Sequence, residues 1–283
     1  DAIVSHWALP CALAAGLVRG ARPHLAVLHS ADVHLLYRLP LRTLWMEGLA
    51  ASADELLFAS TALRQKLLDT LPPLARARLA GRSHAFAMGV DPPLPTRSRR
   101  TLRKELGLDR FTVLTIGRLV PIKGIEHAIE ATRTLPDAGL IVAGSGPERA
   151  ALERRAHDRV RFVGEVTGLA KAELLRAADV FVLPSIELGS GRTEGTPTAA
   201  LEAARAGLPI VASAIGGLSE VFDHDRSAML VAPGEPSALR EAIARIACDE
   251  ALRRRLARNA RTVGRRHEWS ELVPRIERLL TQG

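Results

Sequence analysis

Residues 180–206 read VFVLPSIELGSGRTEGTPTAALEAARA, and this stretch decides the fold. The four apolar residues at 180–183 predict a strand that is buried on both faces, as in a parallel sheet covered by helices. A glycine-rich polar loop follows, and the alanine-rich segment 198–206 predicts a helix. A strand, a loop and a helix in this order form the repeating unit of an α/β fold.

The same alternation extends over the rest of the chain. Further strands are predicted at 2–5, 25–29, 55–60, 84–87, 111–116, 140–143, 160–163, 209–212 and 229–231. Helix-length segments lie between many of them, among them 125–135, 147–156 and 171–177. The pattern predicts an α/β protein with open, doubly wound parallel sheets.

The length of 283 residues predicts about two domains, and a break occurs at 91–104. There the extended run DPPLP precedes a cluster of five basic residues, which predicts a linker and the entry to a second domain. Four strands are predicted before this break and six after it. Because the chain also opens DAIV without a methionine, we expect it to begin partway into the first domain.

The composition limits the classes of partner that the protein is expected to bind. With 39 Lys+Arg against 31 Asp+Glu, the net charge of +8 predicts a polyanionic partner: nucleic acid, anionic lipid or phosphorylated small molecules. Six Phe, three Trp and one Tyr leave little for stacking on bases, and no recognition motif is present, so nucleic acid is disfavoured. Two distant cysteines fit a reducing compartment, and the uncharged run 7–18 is too short to span a bilayer, so we expect a cytoplasmic protein.

Two glycine-containing loops follow predicted strands. In the first, Arg118 and Lys123 lie where α/β sheets bind phosphates; the alternative is a surface turn with solvated cations. The second, Gly144-Ser145-Gly146-Pro147-Glu148, matches neither the dinucleotide fingerprint nor a P-loop. By itself it is typical of a tight turn between a strand and a helix.

The loop after 183 holds the strongest constellation. Glu194 lies just before the predicted helix and Glu202 lies inside it, while the amides of Gly195, Thr196 and Thr198 lie at the positive helix end. A carboxylate can hold sugar hydroxyls there while free amides take anionic oxygens. The alternative is an ordinary helix start with Glu202 facing solvent, although Glu202 interrupts an otherwise apolar segment.

Six motifs occur in order: Gly-Arg-Leu-x3-Lys-Gly, Gly-Ser-Gly-Pro-Glu, Phe-Val-Gly-Glu-Val, Glu-x7-Glu, Ala-Gly-Leu-Pro-Ile-Val-Ala-Ser and Gly-Gly-Leu-Ser-Glu-Val. Together they resemble the donor-binding domain of glycosyltransferase family 4, the retaining group 1 enzymes of GT-B fold with two facing Rossmann-like domains. The match is dense over 110–245. Segments 5–10, 28–34, 58–60 and 89–91 resemble, more loosely, the later half of the family's acceptor domain.

The resemblance implies a domain plan. Residues 1–94 would form a partial acceptor-side domain, 95–268 the donor domain, and 269–283 a helix that crosses back to the first domain. The glycine-rich loop expected near the start of the acceptor domain is missing, together with two or three strands, so the chain resembles an amino-terminally truncated member. Ser219 also replaces a usual proline, and Ala228-Met229 stand where Gly-Leu is frequent.

The resemblance also implies roles for single residues. Arg118 and Lys123 would bind the donor diphosphate and stabilise it as leaving group, Glu194 would contact the transferred sugar, and Glu202 would bind the ribose. His29 would approach the donor sugar from the interdomain cleft. The predicted catalytic residues are His29, Glu194, Arg118 and Lys123. The predicted donor-binding residues are Gly144, Gly146, Val166 beside the base, Gly195, Thr196, Pro197 and Thr198 beside the distal phosphate, and Glu202.

The implied function is retaining transfer of a sugar from a nucleotide-diphosphate sugar to a glycan, lipid-linked or small-molecule acceptor. No metal or other cofactor is expected, because Arg118 and Lys123 can neutralise the leaving diphosphate; Asp223-His224-Asp225 reads as a polar turn rather than a ligand set. One alternative is a sugar-nucleotide-binding module without transfer activity. A sugar-nucleotide epimerase is disfavoured by the Arg-x4-Lys and Glu-x7-Glu pairs.

A basic segment closes the second domain. Residues 251–266 hold seven arginines and no acid, with apolar Leu252, Leu256, Ala260 and Val263 at helical spacing. Such a helix can lie peripherally on an anionic membrane surface. It can equally pack on its own domain and leave its arginines in water.

Overall fold

The computed structural model describes residues 1–281 and contains two parallel β-sheets with helices around them. The strands are β1 (Ile3–His6), β2 (His24–Leu28), β3 (Glu55–Phe58), β4 (Ser83–Ala85), β5 (Phe111–Ile116), β6 (Ala138–Ala143), β7 (Val160–Gly164), β8 (Val180–Leu183), β9 (Ile210–Ser213) and β10 (Met229–Val231). The helices are α1 (Leu13–Val18), α2 (Ser30–Arg38), α3 (Arg42–Ser52), α4 (Thr61–Leu68), α5 (Pro73–Ala80), α6 (Arg99–Glu105), α7 (Ile125–Arg133), α8 (Arg149–Arg155), α9 (Gly168–Ala177), α10 (Thr198–Ala206), α11 (Leu218–Val221), α12 (Pro236–Cys248), α13 (Glu250–Arg266) and α14 (Trp269–Thr281).

The first sheet has the strand order β1-β2-β3-β4, with every neighbouring pair parallel. All five positions of β2 are buried, as expected for a central parallel strand covered on both faces. One face packs against helices α2 to α5 in a core that includes Phe58, Met46 and Leu67. The other face is covered by α14.

The second sheet has the order β10-β9-β8-β5-β6-β7. The chain moves outward from β5 through β6 to β7 and then returns to place β8 on the other side of β5. The strand order therefore reverses between β5 and β8, and the loops at their carboxyl ends diverge around a crevice. In open α/β sheets this point is where ligands bind.

The apolar residues of strand β8 are buried on both faces of the sheet. Val180 and Val182 belong to one core cluster, while Phe181 and Leu183 belong to another on the opposite side of the sheet. Successive strand residues point to opposite faces, so a strand that lies between two helical layers needs four apolar residues in a row. The predicted α/β fold with parallel sheets is confirmed, and β5, β8 and β10 match their predicted bounds.

The other seven strands differ from their predicted bounds by one or two residues, and the end of β2 shows one physical cause. Strand β2 ends at Leu28, and His29 stands outside it as the residue that precedes α2. The cause is Asp32, whose Oδ1 accepts the backbone N–H of His29 at 2.7 Å and of Val33 at 3.0 Å. A carboxylate that satisfies the first amides of a helix fixes the point where the helix begins.

The basic linker is also shorter than predicted. Only its first part is extended, because 99–105 form α6 with Ser98 as the N-cap. Arg97 pairs with Glu105 and Glu173, and Arg103 pairs with Asp179 at 2.8 Å. The arginines therefore fasten α6 to α9 and to the start of β8. The predicted domain boundaries at 94/95 and 268/269 stay a prediction.

The last helix returns to the first sheet. Ile276, Leu279 and Leu280 of α14 pack with Leu25 and Leu57. Its start is fixed at Gly89, where a Cβ atom would lie 2.8 Å from Cε3 of Trp269, so a larger residue there would displace the indole. The described part of this helix thus covers one face of the first sheet.

Helix α13 packs on its own domain. Its apolar residues Leu252, Leu256 and Ala260 are buried, and the helix lies against α10 and α12. The apolar face is thus covered by protein and is not free for lipid, which favours the second interpretation of the basic segment. None of the helices within residues 1–281 is long and apolar enough to cross a bilayer.

The contact between α10 and α13 yields a stability prediction. A Cβ on Gly264 would lie 2.6 Å from Cα of Arg205, so Gly264→Ala forces the two helices apart. We expect the free energy of unfolding to fall by about 1–3 kcal/mol in chemical denaturation, despite the better helix propensity of alanine.

Gly81→Ala is the matched control. Gly81 ends α5 at φ −68° with nothing within 4 Å of the new methyl group, so its stability should be unchanged or slightly higher. Wild-type stability of Gly264→Ala would contradict the close helix contact.

Candidate functional site

A cavity of about 570 Å³ lies at the reversal point of the second sheet and is closed on one side by the start of α2. Nine of the predicted site residues line it: His29, Arg118, Lys123, Gly144, Val166, Glu194, Pro197, Thr198 and Glu202. They come from both sheets and from segments far apart in the sequence. The structure thus brings together most of the residues that the motifs singled out.

Lys123 and Glu194 form an ion pair across the crevice at the carboxyl ends of β5 and β8. Lys123 Nζ lies 2.9 Å from Glu194 Oε1, and the two side chains are only 16% and 13% exposed. The stem of Lys123 passes over Gly117, where a Cβ would lie 3.4 Å from Lys123 Cε. The pair therefore joins the loop after β5 to the loop after β8.

A second lysine–glutamate pair holds Glu202. Lys171 Nζ donates to Glu202 Oε1 at 2.7 Å, with side-chain exposures of 22% and 13%. The other oxygen, Oε2, is buried without a hydrogen-bond partner among residues 1–281. Glu202 therefore lies in the cavity wall rather than in solvent. Lys171 was missed in the sequence; its only signal is its place near the start of the helix that follows β7.

Two arginines in the cavity wall differ from these lysines. Arg118 is exposed and has neither an ion pair nor a hydrogen bond within the described part of the chain. Arg192, also missed in the sequence, is half-buried, and its Nε has no partner there. The cavity therefore has two ion-paired cations and two that are available to an anion.

Gly144 and Gly146 serve close backbone packing. At φ +143°, a Cβ on Gly144 would lie 2.9 Å from the carbonyl carbon of Gly117, so only glycine lets the loops after β5 and β6 touch. Gly146 lies against Leu119 in the same way, 2.7 Å from its nitrogen, and it does not line the cavity. Both glycines shape the loop that carries Arg118.

Gly195 and Thr196 face the first sheet's helices rather than the cavity. Gly195 lies near Leu63 and Ala59, and Thr196 Oγ1 donates to the Ala59 carbonyl at 3.3 Å. Their predicted role in phosphate binding stays a prediction. Of the predicted phosphate segment, Pro197 and Thr198 line the cavity, at the start of α10.

Further polar bonds join the two halves around the cavity. Ser30 Oγ donates to the Thr193 carbonyl, and Lys66 Nζ donates to the Gly191 carbonyl. The Glu220 carboxylate accepts the backbone N–H of Thr61 at 2.7 Å and of Ala62 at 2.8 Å, in the first turn of α4. A carboxylate at a helix N-terminus is favourable because it satisfies free amides there.

His29 lies on the first-sheet wall and is stacked on His6. Their ring centroids are 5.3 Å apart with planes 15° from parallel, and His6 Nδ1 lies 3.1 Å from His29 Nε2. Burial lowers the pKa of His29 below its ordinary value of 6.5; the Asp32 carboxylate opposes this shift and His6 adds to it. His29 is therefore held in the neutral form at neutral pH.

The far end of the cavity is formed by the loop after β7. Val166 lines it beside Glu165, whose Oε2 accepts a hydrogen bond from Ser145 Oγ at 3.2 Å. An apolar side chain next to an exposed carboxylate suits a flat heterocycle with N–H donors on its edge.

The Asp223-His224-Asp225 turn is occupied by structural bonds. His224 Nδ1 accepts the backbone N–H of Leu230 at 3.1 Å, and Asp225 lies 3.7 Å from Arg245. Within residues 1–281, no three His, Cys, Asp or Glu side chains are grouped so that they could hold a metal ion.

Comparison with known proteins adds a family. The profile of the family described as glycosyl transferases group 1 matches residues 98–263. The D-inositol 3-phosphate glycosyltransferase of Xylanimonas cellulosilytica is 32% identical over 246 residues, covering 80% of this chain and 58% of that protein. The GDP-mannose-dependent α-(1-6)-phosphatidylinositol monomannoside mannosyltransferase of Mycobacterium tuberculosis is 31% identical over 262 residues, covering 86% and 65%. The chain thus spans less than two thirds of these relatives.

Solved structures show the same architecture. Sucrose-phosphate synthase from Thermosynechococcus elongatus superposes with a TM-score of 0.79 at 26% identity, covering 99% of this chain and 73% of that one. The Anabaena protein HepE, in complex with UDP-glucose, gives a TM-score of 0.78 at 22% identity, covering 96% and 75%. The GT-B fold predicted from the motifs is confirmed.

The Lys171–Glu202 pair can be measured in a double-mutant cycle. We expect Lys171→Met and Glu202→Gln each to lower the free energy of unfolding by about 1–2 kcal/mol, because each leaves a largely buried polar group without its partner. The double variant should lose less than the sum, with a coupling energy of about 1 kcal/mol in urea denaturation.

The exposed pair Arg149–Glu153, with side-chain exposures of 42% and 45%, is the control. Its coupling should be no more than about 0.5 kcal/mol. Equal coupling in both cycles would contradict the buried character of the Lys171–Glu202 pair.

The pKa of His29 gives a pH dependence. Because the folded state binds this proton less readily than the unfolded state does, the stability that His29 contributes is present above pH 6.5 and is lost as the pH falls through the lowered pKa. We expect stability to fall more between pH 7 and 5 in the wild type than in His29→Gln. Identical pH profiles, or an imidazole titration by NMR at or above 6.5, would contradict the assignment.

Proposed function

The chain belongs to the group 1 glycosyltransferases, and we propose that it transfers a sugar from a nucleoside-diphosphate sugar to an acceptor, with retention of configuration and without a metal ion. The observation that carries the proposal is the cavity at the reversal point, where Arg118 and Lys123 lie on one side of the start of α10 and Glu202 lies within that helix. The names of two similar proteins support the donor class: the mycobacterial relative is GDP-mannose-dependent, and HepE was solved with UDP-glucose.

We assign the diphosphate to Arg118, Lys123 and the amino-terminal end of α10. Cleavage of a sugar–phosphate bond leaves negative charge on the diphosphate oxygens, and fixed cations and free helix amides stabilise that charge as it develops. Arg118 has no other partner among residues 1–281, so it is available to the phosphates. Two cations and a helix end can supply the neutralisation that other transferases obtain from a divalent ion.

We assign the transferred sugar to the space beside Glu194. Glu194 Oε1 is fixed 2.9 Å from Lys123 Nζ, so the carboxylate that accepts sugar hydroxyls lies next to the cation of the leaving group. In this proposal the bond to be broken lies between them. His29, on the opposite wall, faces the sugar from the side of the first sheet, and in its neutral form it can accept a hydrogen bond from a sugar hydroxyl.

We assign the nucleoside to the other end of the cavity. Lys171 orients Glu202, and a carboxylate with a free oxygen accepts hydrogen bonds from the two ribose hydroxyls. Val166 would pack on the base, and Glu165 would accept hydrogen bonds from its edge.

Membrane association is not part of this proposal, because the apolar residues of α13 are buried against the protein. We do propose a cytoplasmic location. Cys11 and Cys248 are both exposed and free, and unpaired surface thiols persist in a reducing compartment.

Calorimetric titration with UDP and with GDP tests the donor site. We expect one of them to bind the wild type and to bind Lys123→Ala and Glu202→Ala at least tenfold more weakly, because each variant removes a charge-assisted contact. The matched controls Lys104→Ala and Glu47→Ala change exposed side chains without partners among residues 1–281 and should bind like the wild type. Unchanged affinity in both site variants would overturn the donor-site assignment.

Turnover separates transfer from binding alone. Donor hydrolysis or transfer should survive EDTA, and NMR of the first-formed product should show the anomeric configuration of the donor. Loss of turnover with EDTA that added Mg²⁺ restores would contradict metal independence, and an inverted product would contradict retention. Nucleotide binding without any turnover would identify the chain as a binding module.

A further inference from the structure

Arg192 is a cavity residue to which the proposed reaction gives no task. Lys123 and Lys171 are ion-paired with Glu194 and Glu202, and Arg118 faces the position assigned to the diphosphate. Arg192 has no ion pair within residues 1–281, and its buried Nε has no hydrogen-bond partner there. A buried guanidinium N–H that lacks an acceptor costs free energy unless a ligand supplies one.

The loop holds Arg192 against the first sheet's helices. The carbonyl on one side of it, that of Gly191, accepts a hydrogen bond from Lys66 of α4. The carbonyl on the other side, that of Thr193, accepts one from Ser30 at the start of α2. Two bonds from the same wall thus fix the backbone on both sides of Arg192 at the cleft, and its side chain lines the cavity that His29 also lines.

Three more cationic or titratable groups surround that position. Lys66 Nζ lies 5.5 Å from the centre of the Tyr37 ring, and Arg38 and His34 lie on the same helix, α2, which packs beside α4. Burial lowers the pKa of His34, and the charges of Arg38, Arg192 and Lys66 lower it further, so these three cations act on one point. We call Arg38, Lys66 and Arg192, with His34, the Arg192 cluster.

The cluster carries no compensating negative charge. No carboxylate of residues 1–281 lies within 4.0 Å of the charged atoms of Arg38, Lys66 or Arg192. The exposed Glu187, on the same loop, has its Oε1 4.0 Å from the place that a Cβ on Gly191 would take, and it pairs with none of them. Like charges held together in a concave site attract an anion strongly.

Resting on the proposed function, we propose that the Arg192 cluster binds a phosphate monoester carried by the acceptor. A guanidinium fork with a lysine beside it fits the oxygens of a phosphate, and the loop that carries Arg192 is hydrogen-bonded to α2 and α4 of the first half. The acceptor would thereby be oriented with its phosphate on α2 and α4 and its hydroxyl toward the sugar.

Titration with inorganic phosphate, without any nucleotide, tests this assignment. We expect phosphate binding followed by calorimetry to weaken about tenfold in Arg192→Gln and in Lys66→Met, because each variant removes one charge-assisted contact. Arg192→Lys, which keeps the charge but not the fork, should lie between them. The exposed Arg266→Gln should bind like the wild type. Because the Arg192 side chain makes no bond within residues 1–281, its variants should unfold at the wild-type temperature.

Lys123→Ala separates the cluster from the donor site. Phosphate binding that survives Lys123→Ala but not Arg192→Gln supports the proposal. Binding that is lost in Lys123→Ala and unchanged in Arg192→Gln and Lys66→Met overturns it. Failure of UDP and GDP to bind would overturn the donor assignment and leave the phosphate result standing, so the two failures are distinguishable.

The source of the phosphate is settled by a second probe. Vesicles that contain phosphatidic acid should co-sediment with the chain in an Arg192-dependent way if the phosphate belongs to a lipid. Arg192-dependent binding of glycerol 3-phosphate without such co-sedimentation assigns it to a water-soluble acceptor. If neither probe nor inorganic phosphate depends on Arg192, the proposal is wrong.

Discussion

The ion pair between Lys123 and Glu194 closes the gap that the strand order opens. Because β8 returns to the opposite side of β5, the loops that leave these strands diverge, and without a contact between them the crevice would be an open surface. The pair spans the two loops at 2.9 Å and is largely shielded from water. It fixes a carboxylate and an ammonium group side by side, and the remaining cavity groups are arranged around it.

Much of the fold follows from local sequence. Strands between two helical layers need apolar residues at nearly every position, and that requirement made β8 predictable to the residue. The bounds of β5 were also predicted correctly, although it contains the buried Thr112 and Thr115. Where the end of a strand depends on a polar side chain that bonds to the backbone, the pattern of apolar residues does not predict that end. Asp32 ends β2 one residue early in this way. The linker was predicted too long for a related reason: its arginines pair with Glu173 and Asp179, which are distant in sequence.

The site was predictable where its residues belong to a contiguous motif. Arg118, Lys123, Glu194 and Glu202 all line the cavity; Arg118 follows β5, Lys123 and Glu194 precede helices, and Glu202 lies within α10. Lys171 escaped detection because its significance lies in a contact with a helix that is a neighbour only in space.

Gly195 and Thr196 show that a motif does not tell which surface each of its residues faces. They belong to the same motif as the cavity residues but point toward the first sheet's helices. A loop of alternating orientation serves two surfaces, and spacing alone does not say which residue faces which. Arg192 also contributes to both surfaces. The carbonyls of its two neighbours accept hydrogen bonds from Ser30 and Lys66, while its side chain lines the cavity.

The Glu220 carboxylate, which accepts the first amides of α4 from across the cleft, has a consequence for how substrates enter. The contacts that join the two walls around the cavity, with Ser30, Lys66 and Thr196, are likewise hydrogen bonds rather than apolar packing. When the cleft widens, water can replace each of them, so each costs only about 0.5–1.5 kcal/mol net to break. The free-energy cost of opening the cleft is therefore small. A substrate that touches both walls adds its own bonds to those that hold the cleft closed. Substrate entry, closure of the cleft and product release can then depend on whether the cleft is occupied, and neither core needs to unfold.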